Sequence, residues 1–121
     1  MKYLAFIRHP ESFRDTPPPP ALMQAMEVFV AKSRAEGSLV DTGGLQHSKE
    51  GVRIRLAKGK ITVTDGPFAE AKEVIGGWAI FEAPTRADAI RYATEFMELH
   101  RVHWPAFEGE SEVRPMFDPV L

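Results

Sequence analysis

At 121 residues, with 44% apolar and 26% charged side chains, the chain is long enough for one domain with a real core and leaves no room for a second. Its 17 acidic and 15 basic side chains give a formal charge of −2, which supplies no long-range attraction to nucleic acid or to an anionic membrane. Cysteine is absent, so disulfides, thiolate zinc sites and cysteine nucleophiles are excluded. No stretch approaches the ~20 apolar residues of a membrane span, and the opening MKYLAFIRHPE is too short in apolar residues for a leader core. The expectation is a soluble, cytoplasmic protein.

Residues 2–8, KYLAFIR, form an apolar run without alternation and predict a strand covered on both faces, ended by His9-Pro10. The prolines at 17–20 form a stiff connector, and Pro19 or Pro20 suits the first turn of a helix. That helix is predicted over about 20–36, where Leu22, Met26, Phe29, Val30 and Ser33 share one stripe and Gly37 supplies the stop. A short strand is expected at 38–42, followed by Gly43-Gly44, which permits close approach of another backbone.

Residues 51–64 predict a hairpin. Val52, Ile54 and Leu56 alternate with Arg53 and Arg55, Ala57-Lys58-Gly59-Lys60 turns the chain, and Ile61 and Val63 alternate with Thr62 and Thr64. Asp65-Gly66-Pro67 closes it. In VIGGWAIFEA, residues 74–83, both alternating sets are apolar, which predicts a central strand with both faces covered. Thr85, with Asp88 three residues later, marks the start of a second helix. Its stripe is Ala89, Ile90, Ala93, Phe96, Met97 and His100, and it runs to about His103; a last strand is predicted over 112–117. The order β-α-β-β-β-β-α-β predicts an α+β domain: a ferredoxin-like split βαβ plan with an inserted β-hairpin and both helices on one sheet face. The other face then needs a partner, which predicts a homodimer made by stacking sheets.

The string DGPFAEAKEVIGG at 65–77 resembles that of the YCII-related, DGPF-type family, as do GSLVDTGGLQ at 37–46 and EVRP at 112–115. The resemblance runs from MKYLAFI to EVRPMF and implies a single domain over 1–121. It also implies a ferredoxin-like fold that dimerises into an α/β barrel, and a possible link to extracytoplasmic-function sigma factors. The wider superfamily includes proteins suggested to use a His–Asp pair; the first predicted helix here holds no histidine.

Several residues are candidates for chemistry. Asp65 is suited to accept backbone N–H bonds in its turn, or to act as a pocket acid or base. His9 would face the same cavity as Asp65 if the first and fifth strands are neighbours, and would then serve proton transfer; the simpler reading is a surface turn. Glu70, Lys72 and Glu73 read as a solvated charged loop or, with Phe68, as the ligand-binding lining of a pocket. His47 is expected to be exposed. His100 and His103 share a helix face, but no third ligand is marked, so no metal is expected. The absence of a phosphate loop, a nucleophile elbow and a dinucleotide fingerprint predicts no cofactor. Two functions follow: a small-molecule-binding protein or cofactor-free enzyme with a polar pocket near the DGPF loop, or a non-catalytic regulator using the basic hairpin edge of Arg53, Arg55, Lys58 and Lys60.

Overall fold

Residues 74–82, apolar in both alternating sets, form an inner strand of the main sheet, with the helices over one of its two faces. The computed structural model describes residues 1–117. The elements are β1 (Lys2–His9), α1 (Pro20–Ala35), β2 (Leu39–Gly44), β3 (Val52–Ala57), β4 (Lys60–Asp65), β5 (Val74–Glu82), α2 (Arg86–His103) and β6 (Glu110–Pro115). Four strands form an antiparallel sheet in the order β2-β5-β1-β6, while β3 and β4 form a separate two-stranded ribbon. The fold is α+β and consistent with the ferredoxin-like plan.

Local chemistry sets the ends of each helix. Pro20 opens α1 with Pro19 before it, where the missing N–H costs nothing. At its far end Gly37 has φ +77°, the Gly37 amide donates to the Arg34 carbonyl, and the Ser38 amide donates to the Ser33 carbonyl. That is the Schellman pattern, and a glycine supplies it without strain. In α2 the Thr85 hydroxyl accepts from the Asp88 amide at 3.2 Å and donates to the Asp88 carboxylate at 2.8 Å. Lys58 (φ 52°) and Gly59 (φ 75°) turn the hairpin with two left-handed residues, as a two-residue connection requires.

Register assigns the faces. Tyr3 lies opposite Phe81, and Ala5 lies opposite both Ala79 and Val113, so these side chains share the face turned to the helices. Phe81, 1% exposed, stacks between Tyr3 at 5.7 Å and Tyr92 of α2 at 4.5 Å. Leu22, Leu39 and Ala89 are buried in the same layer. Ser33 is also buried, its hydroxyl donating to the Phe29 carbonyl at 2.8 Å. On the opposite face stand Leu4, Phe6, Trp78 and Ile80, with Arg8 bridging Glu110 and Glu112 of β6.

Three sequence expectations shift. Ile90 is 52% exposed, and Tyr92 takes the inward position because it stacks on Phe81. The last strand begins at Glu110, since Arg8 draws both Glu110 and Glu112 into register. β2 extends through Gly43-Gly44, which pair with Trp78 and Gly77. Among the described residues no helix is long and apolar enough to cross a membrane.

Candidate functional site

Between the sheet and both helices lies a cavity of about 470 Å³. Most of its wall is apolar, from Met23, Met26 and Phe29 of α1 to Ala93 and Phe96 of α2. One end is different. There β1 finishes with His9, a 3-10 turn (Glu11–Arg14) folds Phe13 and Arg14 back over the strand, and the last turn of α2 brings His100. Trp104 and Phe107, in the connection to β6, close that end.

The aromatic rings hold the imidazoles in place. Phe107 lies 5.8 Å from His9 and 5.0 Å from His100, ring centre to ring centre, and Phe13 packs edge-on against Trp104 at 5.5 Å. His9 is 4% exposed and His100 is 8% exposed. His9 Nδ1 lies 2.8 Å from the Pro10 carbonyl oxygen, and His100 Nδ1 lies 3.1 Å from that of Phe96. A carbonyl can only accept, so in each neutral ring the proton sits on Nδ1 and the lone pair on Nε2. Among the described residues neither Nε2 has a hydrogen-bond partner, and no buried side-chain nitrogen or oxygen is sealed off unpartnered. Both Nε2 atoms are therefore open to the cavity. Burial pushes the His100 imidazole below its ordinary value, and the nearby His9 adds to that; the Phe96 carbonyl opposes it.

Two glycines make this end possible. A Cβ on Gly76 would fall inside van der Waals contact of His9 Nε2 and 2.6 Å from the Arg14 guanidinium, so both tips crowd over a bare Cα. Arg14 donates to the carbonyl oxygen of the same glycine. At Gly109 a Cβ would lie 2.7 Å from the Arg8 carbonyl oxygen, so the chain carrying Phe107 passes close to β1.

The DGPF segment sits elsewhere. The Gly66 amide donates to the Gly51 carbonyl, and the Phe68 amide donates to the Ser48 hydroxyl at 3.1 Å. Glu11 in turn accepts from the Ser48 amide and hydroxyl. Burial opposes the charge on Glu11, but the bonds from Ser48 outweigh it and hold the carboxyl below its ordinary value. Arg53 covers the Phe68 ring at 3.9 Å and pairs with Glu70. The carboxyl of Glu70 lies below its ordinary value through its own backbone amide first and Arg53 second. Lys72 and Glu73 are exposed and make no ion pair among the described residues. Asp65 is exposed at the end of β4 opposite Val52.

Of the residues read from sequence as catalytic or ligand-binding, His9 lines the cavity, and His100, read there as half of a helix-face histidine pair, lines it too. β1 and β5 are neighbours as the sequence argument required, but Asp65 belongs to the separate ribbon, and Phe68, Glu70, Lys72 and Glu73 are also outside the lining. His9 is buried within β1, not exposed in a surface turn. His47 is half-buried 3.7 Å from Glu11, and its ring caps the Lys49 amide. Arg14, Trp104 and Phe107 carry no local pattern; their place becomes visible only once the 3-10 turn and the α2–β6 connection meet.

A family model described as the YCII-related domain matches residues 1–96. The chain belongs to the YCII-related family. The part matched to the YCII-related domain supplies His9, Arg14 and the glycines of β5, whereas His100, Trp104 and Phe107 lie beyond it. The charged end of the cavity is thus assembled from both portions of the chain. No curated protein matches it.

Proposed function

We propose that this YCII-related domain binds a small organic molecule in the cavity between sheet and helices, and that His9 and His100 act on it as proton acceptors through Nε2. One observation carries the reading: two buried imidazoles, each anchored at Nδ1 by a backbone carbonyl, open their lone pairs into an apolar cavity. A cavity of this size, largely apolar with a few convergent polar groups, has the make-up of a ligand site. A neutral imidazole in fixed orientation suits proton transfer without a cofactor. The DGPF loop serves the site at one remove: it braces Ser48 and, through it, Glu11 at the head of the turn that carries Arg14.

A metabolite-library thermal-shift screen tests this reading, run in parallel on Ala93→Phe, which fills the cavity from α2. A ligand at a hundredfold excess over its Kd is expected to raise the apparent Tm by on the order of 5–10 °C, and the filled variant to lose that response. Hits that shift both proteins equally would place binding outside the cavity.

We also propose that the domain is a homodimer. Val52, Ile54, Leu56, Ile61 and Val63 share one face of the ribbon and are 51–71% exposed. Both helices lie on one side of the main sheet, leaving Leu4, Phe6, Trp78 and Ile80 on the other. An apolar ribbon face of this extent is what an interface supplies and a free surface seldom shows. Light scattering at micromolar concentration is expected to give twice the 13.5 kDa chain mass, and Leu56→Glu to shift it towards the monomer. A wild-type monomer at that concentration would refute the dimer.

A further inference from the structure

We infer that the ligand is a monoanion with a planar apolar body, a small aromatic carboxylate, whose charged group sits at the Arg14 end of the cavity. This rests on the reading of the cavity as a binding site and names what that site selects. The first support is charge. Among the described residues the lining contains one guanidinium and two imidazoles and no aspartate or glutamate. Arg14 makes no ion pair among the described residues, and its bond to the Gly76 carbonyl leaves other N–H donors available. A half-buried guanidinium beside apolar walls, with no carboxylate of its own, is matched by an anion from outside, and its planar fork fits a carboxylate.

The second support is shape. Gly44 of β2 lies opposite Gly77 of β5, and Gly76 follows, so this part of the floor is bare backbone. A Cβ at Gly44 would meet nothing within 4 Å, and one at Gly77 would meet only the backbone of Gly43 and Gly44. The rings of Phe13, Phe96, Trp104 and Phe107 line the same cavity. A flat floor beneath aromatic walls favours a ring lying along it, by stacked or edge-on contact. The third support is independent of both. The Nε2 atoms of His9 and His100, residues more than nine-tenths buried, have no hydrogen-bond partner among the described residues and open into this same end. A carboxylate set on Arg14 places the adjoining ring within reach of His9, because His9 Nε2 and Arg14 crowd over the one glycine.

The test uses three probes, 1-naphthoate, 1-naphthamide and octanoate, followed by tryptophan fluorescence and thermal shift on the intact chain. The expected result is saturable binding of 1-naphthoate, with 1-naphthamide and octanoate each weaker by about tenfold or more. Arg14→Gln is expected to erase the preference for naphthoate over naphthamide while naphthamide still binds. Equal binding of naphthoate and naphthamide by the wild-type chain would overturn the charge assignment, and this comparison needs no variant to fold. Octanoate binding as tightly as naphthoate would overturn the planar body. Binding of none of the three would overturn the ligand class. The cavity reading itself would then stand or fall with the library screen and Ala93→Phe, so the two failures are distinguishable.

Discussion

Gly76→Ala is expected to abolish ligand-induced stabilisation and to cost the free protein about 1–3 kcal/mol. The added methyl would lie inside contact distance of His9 Nε2 and 2.6 Å from the Arg14 guanidinium. The two obstacles differ in kind. Arg14 is the far end of a flexible side chain and can swing away, though it then leaves the Gly76 carbonyl. The His9 ring cannot move as freely, because the Pro10 carbonyl holds Nδ1 and Phe13 and Phe107 pack against it. Displacing it breaks the Nδ1 bond and turns the lone pair away from the cavity. Urea unfolding of Gly76→Ala, His9→Ala and the double variant measures the conflict directly. The double variant is expected to be more stable than the sum of the singles predicts, since removing the ring removes the clash. Additive losses would mean that Gly76 and His9 do not compete for the same space.

Gly66→Ala is expected to destabilise the fold by about 2–3 kcal/mol, and Asp65→Ala beside it by no more than about 0.5 kcal/mol. A Cβ on Gly66 would run into the Ser48 carbonyl, with the Ser48 carbonyl carbon at 2.8 Å and the Gly51 oxygen at 3.3 Å. These are backbone atoms. They cannot rotate aside, and Glu11 fixes Ser48 from the far side. Asp65, by contrast, is exposed, and its carboxylate makes no hydrogen bond among the described residues. The Cm in urea, at unchanged m, separates the two variants. A Gly66→Ala protein as stable as Asp65→Ala would show that the DGPF segment is not the brace described above.

The contrast between these neighbours shows what was legible in the sequence. The order of elements, the Thr85 cap, the Lys58-Gly59 turn and the central position of residues 74–82 depend on local chemistry and periodicity, and all are present. The faces were harder where two candidates compete. Ile90 and Tyr92 both lie near the α2 stripe, and the choice is made by Phe81 on a different element. The site was least legible. His9 before a proline reads as a surface turn because its cover depends on tertiary folding: Phe13 is turned back onto it by the 3-10 turn, and Phe107, about a hundred residues later, packs on it from the α2–β6 connection. His100 reads as an ordinary helix terminus because the helix pattern does not show that the α2–β6 connection folds Phe107 back onto it. The hint available was Gly76-Gly77 inside an otherwise large-residue strand, which marked a close approach without saying of what. Asp65 and Glu70 drew notice through a memorable string, yet their neighbourhood is occupied by Arg53, Phe68 and the Ser48 turn.

The central claim is that His9 and His100 present unprotonated Nε2 atoms to a bound molecule. Long-range ¹H–¹⁵N NMR of the imidazoles, assigned with His9→Gln and His100→Gln, tests it most directly. At a pH where the rings are neutral, both are expected as the Nδ1–H tautomer, with Nε2 at the unprotonated position. Addition of a cavity ligand is expected to move the Nε2 resonances while the Nδ1 signals hold. Rings found as the Nε2–H tautomer, or Nε2 resonances unmoved by a ligand that raises Tm, would contradict the account.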